Sequence, residues 1–145
     1  MRAVPGLTNA EGFVKVRDTY QSEVRPEIFA CGQAVAVPPA DPTPVPCDVP
    51  KNGYLSDKMA TAVANNIVAD LHGGSLQHQQ PADLDLTQIL DGGDTGAIIS
   101  ADRFLGQRDH AWLIPGPEAH WAKVAFEKWF MLTHRHGLDH LARAL

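Results

Sequence analysis

The chain has 145 residues, of which 44% are hydrophobic, so it is long enough for one globular domain with its own core. Its formal net charge of −5 argues against nucleic acid as the main partner, because a nucleic-acid-binding surface is basic. The sequence shows no apolar run near the ~20 residues that cross a bilayer, no signal-peptide core, and only two cysteines, Cys31 and Cys47, which are too few for a disulfide framework.

The first predicted elements are short strands. Apolar and polar residues alternate over residues 11–16, which predicts a half-buried strand. Residues 24–31 predict a second short strand that ends at Gly32. The loop at residues 38–50 carries six prolines, and because proline fixes φ we expect a stiff loop that can present backbone groups to a ligand.

Helical periodicity begins after this loop. Residues 54–71 predict an amphipathic helix, and Gly73 marks its end. The positions that follow its apolar spacing are Met59, Ala62, Val63, Asn66, Ile67, Asp70 and Leu71. Residues 75–83 are polar, with three Gln and one His, and are interpreted as a linker or a surface excursion.

The second half of the chain predicts a hairpin and a helix. Residues 84–90 and 96–101 read as strands around a Gly-rich turn at residues 91–94, which is typical of a β-hairpin. Residues 118–132 predict an amphipathic helix with an aromatic face, and residues 138–145 predict a final short helix.

The glycines of the hairpin do not form a nucleotide-binding motif. No G-x-G-x-x-G follows a predicted strand, so the phosphate cradle of a dinucleotide-binding domain is not found in this sequence. Gly92, Gly93 and Gly96 precede a β-like run and are interpreted as turn residues. Because the first part of the chain supplies only two short strands and a loop, we expect the chain to belong to a larger fold.

Several segments together resemble the C-terminal part of sulfide:quinone oxidoreductases, in the same order along the chain. The two most specific are residues 49–54, Val-Pro-Lys-Asn-Gly-Tyr, and residues 123–130, Lys-Val-Ala-Phe-Glu-Lys-Trp-Phe. The others are residues 12–14, 28–32, 38–39, 43–46, 62–67 and 91–94. The resemblance covers most of the chain.

This resemblance implies the C-terminal part of an α/β flavoprotein with two dinucleotide-binding domains. Residues 1–74 would end the FAD-binding domain, and residues 75–145 would form the hairpin and a membrane or interface region. The family passes electrons from sulfide, through cysteine sulfurs and FAD, to membrane quinone. The resemblance implies that the N-terminal half of the flavoprotein, with its FAD- and NAD-like domains, is the partner of this chain. It also implies that this chain alone is inactive, and that the protein is cytoplasmic or peripheral to a membrane.

The resemblance assigns five residues to the flavin. Gly32 matches the glycine where the chain passes the ribityl and phosphate region, and Gln33 stands where relatives in the wider superfamily have Asp. Lys51, Asn52 and Gly53 match the loop at the pyrimidine edge. A lysine ammonium at that edge would stabilise the reduced, anionic flavin.

The cysteines bear on the sulfide chemistry, because thiolates are the nucleophiles that it needs. The cysteine that the family usually keeps in the first hairpin strand falls at or near Gln88, and no cysteine lies between Thr87 and Asp91. Cys47 is therefore the candidate redox thiol. Cys31 follows an apolar run and is interpreted as a packed core thiol.

The C-terminal helix carries the membrane and quinone features of the resemblance. Phe126 matches an aromatic residue that stacks on the quinone ring, and Trp121, Trp129 and Phe130 match anchors in the headgroup region. The neighbouring positive charges, suited to anionic lipid, are Lys123, Lys128 and Arg135.

Alternative functions come from other classes. In the first alternative, the chain is a non-catalytic interaction module whose aromatic helix docks a partner or pairs with a second copy as a homo-oligomer. In the second, it is a segment of an NADH:quinone dehydrogenase or of a flavocytochrome-type sulfide dehydrogenase. The histidines His134, His136 and His140 lie close in sequence, but without cysteines or an H-E-x-x-H pattern they predict no metal site.

Overall fold

The computed structural model describes residues 4–36, 53–80, 84–103 and 108–138. Its elements, in chain order, are a 3-10 turn at Gly32–Ala34, helix α1 at Gly53–Leu71, strands β1 at Leu86–Asp91, β2 at Gly96–Ala101 and β3 at Ala111–Pro115, and helix α2 at Glu118–Arg135. They fall into two compact units. One comprises the residues up to Leu86 with Asp102–Asp109, and the other comprises Thr87–Ala101 with the residues from His110 onward.

The N-terminal segment of the first unit is held by isolated bridges. Val14, which is 3% exposed, bridges Val35 in the parallel direction. The predicted strands over residues 11–16 and 24–31 are therefore wrong as strands. The chain turns too often for a ladder to extend, as at Tyr20, whose φ of 63° is rare for a residue with a side chain.

Helix α1 confirms the predicted helix. Its inward face is formed by Leu55, Met59, Ala62 and Asn66, all of them buried. The predicted apolar stripe is wrong at its end, because Ile67 and Leu71 are 39% and 77% exposed. The helix stops where Gly73 adopts a φ of 67° and Gly74 donates its N–H to the Ala69 carbonyl at 2.7 Å, the backbone pattern that glycine permits.

The second unit is built on a three-stranded sheet in the order β1-β2-β3. The predicted hairpin of β1 and β2 is confirmed, and its turn is closed by the Gly92 N–H on the Thr95 carbonyl at 2.7 Å. Only antiparallel strands can be joined by so short a connection. β3 pairs antiparallel with β2, with Leu113 opposite Ile99. β3 was not predicted, because a strand this short shows no clear periodicity.

Helix α2 confirms the second predicted helix and packs on the sheet through its first turn. Ala119 is 1% exposed, and a Cβ on Gly96 would lie 3.1 Å from the Ala119 Cβ, so the glycine allows the close approach. His120 Nδ1 lies 3.1 Å from Asp91 Oδ1 and links α2 to the hairpin turn. The predicted helix at residues 138–145 lies outside the described residues apart from its first position.

Within the described ranges, neither α1 nor α2 combines the length and the apolarity that a bilayer-crossing helix requires.

Candidate functional site

The turn at Gly32–Ala34 lies against the first turn of α1. Gly32 has a φ of 62°, and a Cβ at this position would lie 3.0 Å from Ser56 Oγ and 3.2 Å from Ser56 Cβ. Glycine fits here both because it adopts the left-handed conformation without strain and because it leaves space in front of the helix. The structure thus places Gly32 and the exposed Gln33 at the end of α1 that Gly53 opens.

This end of α1 carries the partial positive charge of a helix N-terminus. The first backbone N–H groups of an α-helix have no partners inside the helix, and the helix dipole adds a partial positive charge there. No acidic residue lies in the first turn of α1 to offset that charge. A glycine turn packed on a helix N-terminus is a common way to admit a phosphate or a polar ring edge to the backbone.

The remaining predicted flavin-side residues lie outside the described part of the chain. They are Cys47, Lys51 and Asn52, which fall in the stretch of residues 37–52. Their proposed roles rest on the sequence.

Cys31, immediately before the glycine turn, has the properties of a packed thiol. It is half-buried, and burial raises its pKa above the ordinary value for a cysteine. Burial, and then the neighbouring Cys31, raises the pKa of the fully buried Tyr20. A raised thiol pKa disfavours the thiolate. Cys31 is half-buried and therefore lies at the edge of the core and not within it.

A polar cluster that the sequence did not predict lies beside the first turns of α1. The Tyr54 hydroxyl donates to Asp85 Oδ2 at 2.6 Å, and Lys58 Nζ donates to the other carboxylate oxygen of Asp85. Lys58 Nζ also lies 4.7 Å from the centre of the Tyr54 ring, within the range of a cation–π contact. Since Asp85 is far from Tyr54 and Lys58 in sequence, local periodicity could not bring them together.

The charges of this cluster stabilise one another. Burial alone would lower the pKa of Lys58, but its hydrogen bonds to Asp85 and Tyr54 outweigh burial and raise it. Burial alone would raise the pKa of Asp85, but the hydrogen bonds from Lys58 and Tyr54 outweigh burial and lower it. Both side chains are therefore ionised over a wide pH range.

The aromatic residues predicted for the membrane and quinone lie on α2 and are exposed. Phe126 lies 6.0 Å from Trp129 and 5.9 Å from Phe130, measured between ring centres, so these three form one cluster. Trp121 is 69% exposed and packs edge-on against the His120 ring, at 5.3 Å. A shallow groove on the same helix is lined by Glu127, Lys128, Met131, Leu132, His134 and Arg135.

Strand β3 adds exposed apolar surface to the second unit. All of its residues are exposed, with Trp112 at 67% and Leu113 at 65%. Side chains of a strand alternate between the two faces, so β3 leaves apolar groups uncovered on both.

Among the described residues, no three His, Cys, Asp or Glu side chains are grouped as metal ligands. His134 instead places Nδ1 2.9 Å from the Phe130 carbonyl, and His140 lies outside the described ranges.

The chain is similar in sequence and in fold to known sulfide:quinone oxidoreductases. No protein-family model matches it. It is 34% identical over 128 residues to a sulfide-quinone reductase from Aquifex aeolicus (strain VF5), and the match covers 88% of this chain. Its fold matches the crystal structure of the sulfide:quinone oxidoreductase from the hyperthermophilic bacterium Aquifex aeolicus, with a TM-score of 0.82, 33% identity and coverage of 93% of this chain.

The chain spans only part of these relatives, namely 29% of the curated protein and 31% of the crystallised chain. The predicted resemblance and the predicted fold class are confirmed by these matches. Two helices and a three-stranded antiparallel sheet reproduce one region of the larger structure.

Proposed function

Because the chain is homologous to a segment of sulfide:quinone oxidoreductase, we propose that it performs the part of that segment: one wall of a flavin site together with the quinone-side helix. The observation that carries the proposal is the structural match at a TM-score of 0.82 with 33% identity over 93% of the chain. The activity would belong to a larger protein, since the matched segment is less than a third of the relative. From the order of the sequence motifs, we place this segment in the C-terminal part of that protein.

Three described residues at the start of α1 support the proposed flavin wall. Gly32 leaves room in front of the first turn of α1 because a Cβ there would contact Ser56. Gln33 and Gly53 lie at the same end of the helix, and an amide side chain can both donate to and accept from a ribityl hydroxyl. The cofactor, FAD, would supply the electron transfer between sulfide and quinone. Lys51 and Asn52 would meet its pyrimidine edge with a positive charge and an amide.

The other half of the proposed function rests on α2. The cluster of Phe126, Trp129 and Phe130 offers exposed aromatic rings at a helix surface, which suits an apolar ring such as quinone and the headgroup region of a bilayer. Lys123 and Lys128 place positive charge on the same helix, although Lys123 is paired with Glu127 at 3.2 Å. Membrane association is therefore proposed as peripheral.

The sulfide half of the reaction is the point at which this chain differs from the family pattern. Strand β1 contains no cysteine, and Gln88 is half-buried where the family's cysteine is expected. Cys47 is then the candidate thiol from this chain. The same difference favours the alternative of a quinone-reducing flavoprotein with another electron donor, such as NADH.

A graft tests the proposed function. The matched segment of the Aquifex aeolicus protein is replaced by this chain, and reduction of a soluble quinone by sulfide is measured. We expect low turnover that rises at least about tenfold with Gln88→Cys, because the second thiol then completes the sulfur pathway. A flavin-loaded graft that transfers no electrons from sulfide to quinone, with or without Gln88→Cys, would contradict the proposal.

Membrane association is tested on the chain itself. We expect co-sedimentation with vesicles that contain anionic lipid, and a loss of more than half of it with Trp129→Ala, since aromatic anchors contribute much of interfacial binding. Leu71→Ala is the control: it removes an apolar side chain of α1 that is 77% exposed, against 36% for Trp129, and it should bind as the parent does. Absence of co-sedimentation together with dimers in analytical ultracentrifugation would favour the interaction module.

A further inference from the structure

The carboxylate of Asp85 joins two side chains from successive turns of α1. It accepts the Tyr54 hydroxyl at 2.6 Å on one oxygen and the Lys58 ammonium on the other. Tyr54 lies in the first turn of the helix, and Lys58 lies one turn later. Asp85 immediately precedes β1 and is in the same compact unit as α1. The contact therefore ties the start of α1 to a distant point of the chain.

This cluster is not arranged to bind a ligand. Both oxygens of Asp85 are engaged by Tyr54 and Lys58. The ammonium of Lys58 is paired with the carboxylate and is also attracted to the Tyr54 ring, whose centre lies 4.7 Å from Nζ. An exposed ion pair alone contributes little. A charge-assisted hydrogen bond to a phenol, added to an ion pair and a cation–π contact, fixes three side chains in one geometry.

The cluster lies beside the N-terminal end of α1, the end against which Gly32 packs. Leu55 and Met59, each about 100° further round the helix than Tyr54 and Lys58, are 1% and 2% exposed. The first turns of α1 are therefore held by the core on one face and by Asp85 on the neighbouring face. Ser56, which lies between Tyr54 and Lys58 in the sequence, is the residue that faces Gly32.

We propose that Asp85 is a positioning residue that holds the first two turns of α1 in the orientation required for the flavin wall at Gly32. This inference rests on the proposed function, because it assigns Asp85 to the flavin wall. The same inference gives Lys58 a structural role, because its ammonium is paired with Asp85. The positive charge proposed for the reduced flavin would therefore come from another residue of the site.

Amide hydrogen exchange tests the positioning on the 145-residue chain. Asp85→Ala should accelerate exchange at residues 57–60, whose amides donate to the carbonyls of the first turn of α1, by about tenfold, the scale of a lost hydrogen bond to a charged group. Residues 67–71 should change little. Tyr54→Phe, a milder change that removes only the phenol hydrogen bond, should act in the same direction. Glu27→Ala is the control, because it removes a carboxylate from an exposed pair with Arg25. Unchanged or uniform exchange along α1 in both variants would overturn the inference.

The affinity of the graft for FAD tests whether the position of α1 matters for flavin binding. Asp85→Ala should weaken FAD binding by about tenfold, whereas Glu27→Ala should leave it unchanged. A graft with Asp85 intact that binds no FAD would contradict the proposed function. A graft that binds FAD equally before and after Asp85→Ala would overturn this inference alone.

Discussion

Asn66 shows how a single polar side chain organises the first unit. It is fully buried on the inward face of α1, where its amide donates to the carbonyls of Thr19 at 3.0 Å and of Gln77 at 2.9 Å. Its oxygen accepts the Gln77 N–H at 2.7 Å. A buried amide with these contacts joins the N-terminal segment to the chain that follows α1.

Asn66→Ala should therefore be strongly destabilising. It leaves the buried Thr19 carbonyl and the part-buried N–H and carbonyl of Gln77 without their partner, and we expect a loss of about 1–3 kcal/mol in the free energy of unfolding, measured in urea. The neighbouring Asn65 is exposed, and Asn65→Ala should change the free energy by less than about 0.5 kcal/mol. Equal effects of the two substitutions would contradict the assignment of this network.

At the scale of elements, the contact between α1 and Asp85 predicts a pH dependence of stability. The folded state lowers the pKa of Asp85 and raises that of Lys58. The contribution of Asp85 is thus complete above its unfolded pKa of about 3.9 and is lost as the pH falls through the lower folded value. The contribution of Lys58 is complete below about pH 10.4 and is lost as the pH rises through the higher folded value.

Asp85→Asn tests this dependence. At neutral pH we expect the variant to be less stable by about 1 kcal/mol or less, since both side chains are more than a third exposed and solvent screens the pair. The difference between the parent and the variant should shrink below about pH 4. Urea unfolding across this range measures it, and a difference that stays constant down to pH 2 would show that the carboxylate charge plays no part.

The elements also show which parts of a fold a sequence can specify. Residues 54–71 and 118–132 were predictable because helical periodicity is local, and the hairpin was predictable from its glycine turn. β3 and the bridges around Val14 depend on partners that are distant in the chain, and periodicity carries no such information.

The residues of the candidate site also fall into those that the sequence predicted and those that it did not. Gly32, Gln33 and Gly53 were predicted from resemblance, and the structure places them at one end of α1. Asp85 and its partners were not predicted, because nothing in the local sequence relates a residue beside β1 to the start of α1. Cys47, Lys51 and Asn52 remain predictions from the sequence.

On the scale of the whole molecule, we propose that the chain forms one wall of a flavin site in a larger protein. The exposed aromatic rings of α2 and the uncovered strand β3 agree with surfaces that have partners in the complete assembly. The 31% coverage of the crystallised relative agrees with this as well.

The most direct measurement of the central claim is the FAD content of the graft, taken from its visible absorption after purification. We predict close to one FAD for each graft and a loss of most of it with Gly32→Val, because the new side chain meets Ser56 and strains a φ of 62°. Gly12→Val is the control, since Gly12 also has a positive φ, 96°, but open space around it, and it should retain its FAD. A folded graft without FAD, or equal FAD content after both substitutions, would contradict the claim.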